Sequence, residues 1–207
     1  MLQAKFDRVA PFGVSRESFE KLERLEALAE KWQSHINLVS NSTLPDFWNR
    51  HIVDSAQILP LIPSSTRAIA DLGSGGGFPG LVIAACQPAD VHFYEANAKK
   101  TAFLQEALRH MNCSGMVNRL RLEPFRMPHS LPEFQIVTAR AFAPLPLLLK
   151  LAEPFIRGGA KALFHKGQEY QAEIAEAART FKLSYVAHPS ATDSQSVILE
   201  IKEIAHV

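Results

Sequence analysis

A glycine-rich segment, residues 71–80, constrains the fold more than any other part of the chain. It reads Asp-Leu-Gly-Ser-Gly-Gly-Gly-Phe-Pro-Gly and lies between the apolar runs 68–70 and 81–86. This order is typical of a buried strand, a tight turn and a helix. Glycines allow positive φ angles and let a ligand lie against the main chain, and the first amides of the following helix point into the turn. The segment therefore predicts a site for a nucleotide-like ligand in an α/β fold.

Composition sets the broader limits. The chain has 207 residues, 47% hydrophobic and 21% charged, which is typical of a globular protein with one α/β domain and an additional segment. A formal net charge of +1 neither requires nor excludes a nucleic-acid partner. The two cysteines, Cys86 and Cys113, have no metal-type spacing and suit a reducing compartment. Because no long apolar run or signal-peptide pattern occurs, we expect a cytoplasmic protein without a membrane segment.

The part before the glycine-rich segment is expected to be helical. Residues 1–14 have little pattern and are expected to be flexible or loosely docked. Apolar residues recur every three or four positions from Ser15, a plausible N-cap, to Trp32. A second helix is expected from about Pro45 to Pro60. We expect a helical extension, residues 1–62, packed on a main domain, residues 63–207.

Four polar residues share one side of the second predicted helix, because offsets of three and four are neighbours on a helix. They are Arg50, His51, Asp54 and Ser55. Spacing alone leaves two interpretations open. One is a surface ion pair beside a histidine, and the other is a polar face directed at a site.

From residue 67 onward, short apolar strands alternate with helices. Strands are predicted at 67–72, 91–96, 117–122, 134–139, 160–165, 183–188 and 196–202. Helices are predicted from about 80, and at 98–111, 144–155 and 168–180. The turn before the last strand is too short for a crossover helix, so this strand should be antiparallel. The predicted fold class is α/β, with a doubly wound seven-stranded sheet of six parallel strands and an antiparallel last strand.

The ligand is not settled by these patterns. In such sheets it lies at the carboxyl ends of the strands. Glu95 ends the second predicted strand, 24 positions after Asp71, where its carboxylate can accept both hydroxyls of a ribose. Residues 75–80 also fit G-x-G-x-x-G, so a nicotinamide-dinucleotide site remains an alternative. The alternating glycines after Asp71, the antiparallel last strand and the lack of a further catalytic domain favour an S-adenosylmethionine-dependent methyltransferase.

Further motifs accompany the glycine-rich segment. They are Trp32 with Asn37-Leu38, Arg50-His51-Ile-Val-Asp54-Ser55, Arg121-Leu122-Glu123, Arg140-Ala-Phe-Ala-Pro-Leu145 and Lys166-Gly167-Gln168. With these motifs, the chain resembles the glucose-inhibited division protein B family, also called ribosomal RNA small subunit methyltransferase G. The motifs follow the order of that family over residues 32–168. Their combination is specific, whereas the glycine-rich segment alone is not.

The resemblance implies a class I, Rossmann-like methyltransferase that transfers a methyl group from S-adenosylmethionine to N7 of a guanine in 16S rRNA. It also implies a monomer that acts on the small ribosomal subunit without a metal. The cofactor-binding residues are then expected to be Asp71, Gly73, Gly75, Gly77, Phe78, Glu95, Leu122, Glu123 and Arg140. The expected catalytic residues are Arg140, Lys166 and His51.

The implied reaction needs no general base, since guanine N7 has a lone pair and no proton at neutral pH. The task is to align nucleophile, methyl carbon and sulfur. A cation bonded to N7 would oppose the reaction, whereas a donor to guanine O6 would orient the base and leave N7 free. Transfer to another substrate and a non-catalytic cofactor-binding assembly factor remain alternatives.

The RNA-binding surface is predicted from charge. Basic residues gather near the middle of the chain, at Lys99, Lys100, Arg109, Arg119, Arg121 and Arg126. Such a patch would make RNA binding salt-dependent. A solvated mixed surface is the alternative, since the net charge is small. This small charge would suit recognition of RNA already shaped by a ribosomal particle.

Overall fold

Strands from the whole second part of the chain build one sheet. The computed structural model describes residues 2–124 and 132–207, and these ranges contain seven strands. The strands are β1 (Ala68–Leu72), β2 (Asp90–Glu95), β3 (Met116–Arg119), β4 (Ile136–Arg140), β5 (Lys161–Lys166), β6 (Phe181–Pro189) and β7 (Val197–His206). Their spatial order is β3-β2-β1-β4-β5-β7-β6. Six strands run in one direction, and β7 is antiparallel to both of its neighbours. The predicted fold class is confirmed.

Helices precede the sheet and connect its strands. They are α1 (Leu2–Val9), α2 (Arg16–Gln33), α3 (Asp54–Ala56), α4 (Gly80–Cys86), α5 (Ala98–Met111), α6 (Leu145–Arg157) and α7 (Tyr170–Ala177). Ser15 caps α2 as predicted, since its Oγ accepts a hydrogen bond from the backbone N–H of Ser18 at 3.1 Å. Within the described ranges, none of these helices is both long and apolar enough to cross a membrane.

Side chains of the central strands alternate between two apolar clusters, one on each face of the sheet. Ile69 belongs to the first cluster, together with buried residues of α2, α4 and α5. Ala70, the next residue, belongs to the second cluster, together with the apolar face of α6. The central strands are therefore buried on both faces, as expected for a doubly wound sheet.

The N-terminal part differs from the prediction in two ways. Residues 2–9 form a helix, and Val9 and Val14 are buried, so the expectation of a flexible start was wrong. In place of one regular helix over 45–60, the chain forms a 3₁₀ segment, a π-helix over Trp48–Val53, the short α3 and another 3₁₀ turn. Prolines in both 3₁₀ segments lack the N–H that a continuous α-helix needs. The division between residues 62 and 63 stays a prediction.

The third strand also ends earlier than predicted. β3 stops at Arg119, and the N–H of Leu120 makes a last hydrogen bond to the carbonyl of Glu95 at 3.1 Å. The apolar Leu120 and Leu122 suggested that the strand continues, but the chain leaves the sheet between them. Leu122 and Glu123 therefore follow the strand and do not close it. The helix after β5 is likewise shorter than the predicted 168–180.

Candidate active site

A cavity of about 1260 Å³ lies at the carboxyl ends of the central strands. Its walls come from the glycine-rich turn, from the segments that follow β2 to β5, from the N-terminal extension and from the turn between β6 and β7. The sequence predicts a ligand at this edge of the sheet. Small-molecule sites typically measure roughly 300–1,000 Å³. The cavity therefore has room for a cofactor and part of a second molecule.

The glycine-rich turn lines this cavity with main chain, which is bare at Gly75 and covered by the Phe142 ring at Gly73. Gly73 and Gly75 have positive φ angles of 61° and 56°. A Cβ added to Gly75 would project into open space, with the Gly73 carbonyl oxygen 3.7 Å away and Lys100 Nζ 4.0 Å away. A Cβ on Gly76 would instead lie 2.7 Å from the carbonyl oxygen of Leu38, because the N-terminal extension packs against the turn there. The turn thus forms a cradle that side chains would fill.

Two of the predicted cofactor-binding residues lie behind this turn and do not line the cavity. Asp71 is buried, and its Oδ1 accepts a hydrogen bond from Thr138 Oγ1 at 2.8 Å. Burial raises the pKa of Asp71 to about 6. A Cβ on Gly77 would lie 2.3 Å from Leu81 Cδ1, so this glycine is needed for packing against α4. Asp71 and Gly77 therefore shape the turn from behind.

Glu95 lies opposite the turn and lines the cavity. Its Oε2 accepts a hydrogen bond from the N–H of Gly75 at 2.8 Å, and its Oε1 accepts one from the N–H of Asn97 at 2.7 Å. Each oxygen keeps acceptor capacity, which fits the predicted ribose contact. Leu122 and Glu123 also line the cavity. The acceptor oxygens of Glu95 and the bare main chain of Gly75 fit a nucleoside-containing cofactor.

Arg140 extends from the end of β4 to the N-terminal extension. Its Nη1 donates to the carbonyl of Arg50 at 2.8 Å and to Asp54 Oδ2 at 2.9 Å. Its Nη2 donates to His51 Nδ1 at 2.7 Å. Its guanidinium carbon lies 5.4 Å from the centre of the Phe78 ring. These contacts hold the cation at the cavity wall, and two of its five N–H groups have no hydrogen-bond partner among the described residues.

His51 is part of the cavity wall, and its contacts define its tautomer. Because arginine only donates, Nδ1 must accept the bond from Arg140. The proton is therefore on Nε2, which lies 2.9 Å from Thr43 Oγ1, and Thr43 in turn donates to the carbonyl of Ser40. Burial, and then the charge of Arg140, lower the pKa of His51 to about 3. Both ring nitrogens are occupied, so His51 positions Arg140 and has no free nitrogen for a substrate.

The depressed pKa of His51 predicts a pH dependence of stability. The unfolded chain protonates this ring below its ordinary pKa of 6.5, whereas the folded protein keeps it neutral down to about 3. The stability present above pH 6.5 is therefore lost as the pH falls towards 3. Between pH 7 and 5, the wild type should lose on the order of 2 kcal/mol more unfolding free energy than His51→Gln. Urea unfolding of both proteins measures this difference, and equal losses would contradict it.

A tether on the far side of Asp54 was not predicted. Asp54 Oδ1 accepts hydrogen bonds from Gln57 Nε2 and Thr192 Oγ1, both at 2.8 Å. The buried His165 ring contacts the carbonyl of Asp54 through Nε2 at 2.9 Å. Helical spacing placed Arg50, His51 and Asp54 on one side, but no local pattern indicates a partner in the β6–β7 turn. Arg50, His51 and Asp54 line the cavity, as the second interpretation held, whereas Ser55 is buried and does not line it.

Lys166, predicted to be catalytic, is bound within the protein. It forms an ion pair with Glu173 of α7, and its Nζ donates to the carbonyl of Ala143 at 3.2 Å. Glu173 also accepts a hydrogen bond from the N–H of Leu145. Lys166 lines the cavity but is mostly committed to holding the segment after β4. A direct contact between Lys166 and a substrate stays a prediction.

The predicted basic patch is only partly directed at the site. Lys100 and Arg121 line the cavity, as does Arg50 of the N-terminal extension. Arg109 instead pairs with Glu106 on α5. Arg126 lies outside the described residues. Within residues 2–124 and 132–207, no group of three or more histidine, cysteine or acidic side chains is placed to hold a metal ion.

Solved structures with low sequence identity share this architecture. A ribosomal protein L11 methylase from Lactobacillus delbrueckii subsp. bulgaricus matches with a TM-score of 0.56 at 12% identity, over 73% of this chain and 77% of that chain. A SAM dependent methyltransferase from Aquifex aeolicus matches with a TM-score of 0.53 at 11% identity, over 77% and 94%. At these identities the likeness concerns the fold alone. The fold is that of class I S-adenosylmethionine-dependent methyltransferases.

Sequence comparison is more specific. The GidB family model, described as rRNA small subunit methyltransferase G, matches residues 18–201. The ribosomal RNA small subunit methyltransferase G of Rhodospirillum rubrum is 48% identical over 193 residues, covering 92% of this chain and 93% of that protein. Its counterpart in Brucella canis is 47% identical over 196 residues, covering 92% and 90%. The chain therefore belongs to the rRNA small subunit methyltransferase G family.

Proposed function

We propose that this protein transfers a methyl group from S-adenosylmethionine to N7 of a guanine in 16S rRNA of the small ribosomal subunit. Family membership over residues 18–201 supports the substrate class. The observation that carries the proposal is that Arg140, fixed by three hydrogen bonds, and the glycine cradle line the same cavity. The cytoplasmic location and the monomeric state stay predictions.

The cofactor site would be built from main chain and one carboxylate. Gly73 and Gly75 would lie along the cofactor, Glu95 would accept the ribose hydroxyls, and Leu122 and Glu123 would border the adenine. When bound, S-adenosylmethionine would supply an electrophilic methyl group attached to a positively charged sulfur. The cradle fits this cofactor because the main chain of Gly75 borders open space, in which a Cβ would meet no atom closer than 3.7 Å.

The acceptor site would be organised by Arg140. Two of its N–H groups have no partner among the described residues, and they can donate to guanine O6. His51 and Asp54 hold the guanidinium, so it does not need to reorganise when the base binds. No side chain has to remove a proton, because N7 carries none. The protein's contribution is therefore orientation.

The decisive test is a comparison of 16S rRNA from cells with and without the gene. Mass mapping should find one N7-methylguanine that disappears in the deletion strain and returns with the wild-type gene. Purified protein should restore it on subunits from the deletion strain, and less well on the bare RNA. An unchanged set of N7-methylguanines would refute the proposal. Labelled methyl in another molecule would then point to a different substrate, and binding without transfer to an assembly factor.

A further inference from the structure

Phe142 makes the tightest approach to the glycine-rich turn. A Cβ added to Gly73 would lie 2.0 Å from Phe142 Cδ2 and 2.3 Å from Cγ, so the ring rests directly on the main chain of Gly73. The side chain is only partly buried and lines the cavity. An aromatic ring is therefore held at the wall, beside the place assigned to the methyl donor.

The backbone that presents this ring is unusual. Ala141 has a φ of 51°, one of two non-glycine residues with positive φ in the described ranges. This conformation costs roughly 1–2 kcal/mol for an L-residue, and such backbone persists where the surroundings fix it. Here the bonds of Lys166 to the Ala143 carbonyl and of Glu173 to the Leu145 N–H fix the following residues. Phe142 lies two residues after Arg140 in the chain, and this fixed turn determines where its ring is held.

We propose that Phe142 is the surface on which the acceptor base stacks; this rests on the proposed function. An enzyme that modifies a base takes it out of its stack, and aromatic side chains commonly replace the lost neighbour. Arg140, two residues earlier, offers donors to the edge of a base. Phe142 offers a face, and the cavity exceeds the volume of one small ligand. Stacking and edge recognition together orient N7.

The test uses three variants. Phe142→Leu removes the ring, Phe142→Tyr keeps it, and Phe12→Leu makes the same change at a partly buried phenylalanine that does not line the cavity. Stacking on an aromatic side chain predicts that Phe142→Leu loses roughly 5- to 150-fold in kcat/KM for the rRNA substrate. Phe142→Tyr and Phe12→Leu should stay within about 2-fold of wild type. Affinity for S-adenosylhomocysteine, measured by calorimetry, should be equal in all four proteins.

Two results would overturn the stacking proposal alone. One is rRNA methylation by the wild type with Phe142→Leu as active as Phe142→Tyr. The other is a loss of S-adenosylhomocysteine affinity in Phe142→Leu as large as its loss of activity, which would make the ring part of the cofactor site. Absence of rRNA methylation by the wild-type protein would instead refute the proposed function, and the stacking proposal with it.

Discussion

Arg140→Ala is expected to lower kcat/KM for rRNA methylation by at least about 100-fold, the usual cost of removing a preorganised donor. The variant loses the cation itself and also the contacts that join β4 to residues 50–54. Arg140→Lys should lose most of this activity as well, because an ammonium cannot reproduce the planar fork that reaches both His51 and Asp54. Initial rates on deletion-strain subunits measure both effects.

The matched control for this prediction is Arg157→Ala. Arg157 pairs with Glu153 on the exposed surface of α6 and does not line the cavity. Its removal should leave activity unchanged, since exposed ion pairs contribute little. Thermal unfolding separates loss of chemistry from loss of fold in all variants. Activity of a folded Arg140→Ala protein within about 3-fold of wild type would exclude the orienting role of this residue.

Gly75→Val is expected to weaken binding of S-adenosylhomocysteine by about 100-fold or more, because the side chain would fill the cradle and strain a backbone with φ of 56°. The Cβ at this position meets no atom closer than 3.7 Å, so the protein itself can accommodate it. The loss should therefore appear in cofactor affinity, measured by calorimetry, and much less in the structure of the core.

Gly13→Val supplies the control for backbone strain. Gly13 has a φ of 84°, and a Cβ there has no atom within 4 Å, but the residue lies outside the cavity lining. Both variants should lose a similar amount of stability, roughly 1–2 kcal/mol, since both force a side chain into the left-handed region. Only Gly75→Val should lose the cofactor. Equal affinities of the two variants would show that Gly75 does not form the cradle.

Local patterns predicted the parts of this molecule that depend on local physics. Strand burial, the glycine-rich turn and the antiparallel β7 all follow from residues close together in the chain. The end of β3 could not be predicted in this way, because Leu122 continues an apolar pattern although its backbone has already left the sheet. The partners of Arg140 and the pairing of Lys166 with Glu173 depend on tertiary packing. Helical spacing placed His51 at the site, but only the structure shows that its Nδ1 accepts a hydrogen bond from Arg140.

The tether from Asp54 to Thr192 has a consequence for the order in which the protein is made. These residues are 138 positions apart, and Gln57 reaches the same turn through Ser190 Oγ at 3.2 Å. Synthesis runs from the N-terminus, so Asp54 gains this partner only after the β6–β7 turn has been translated. A nascent chain that has completed β5 already contains every cofactor-binding residue proposed above. The bond from Thr192, which supports Asp54 and through it Arg140, can therefore form only after the segments that carry those residues have been made.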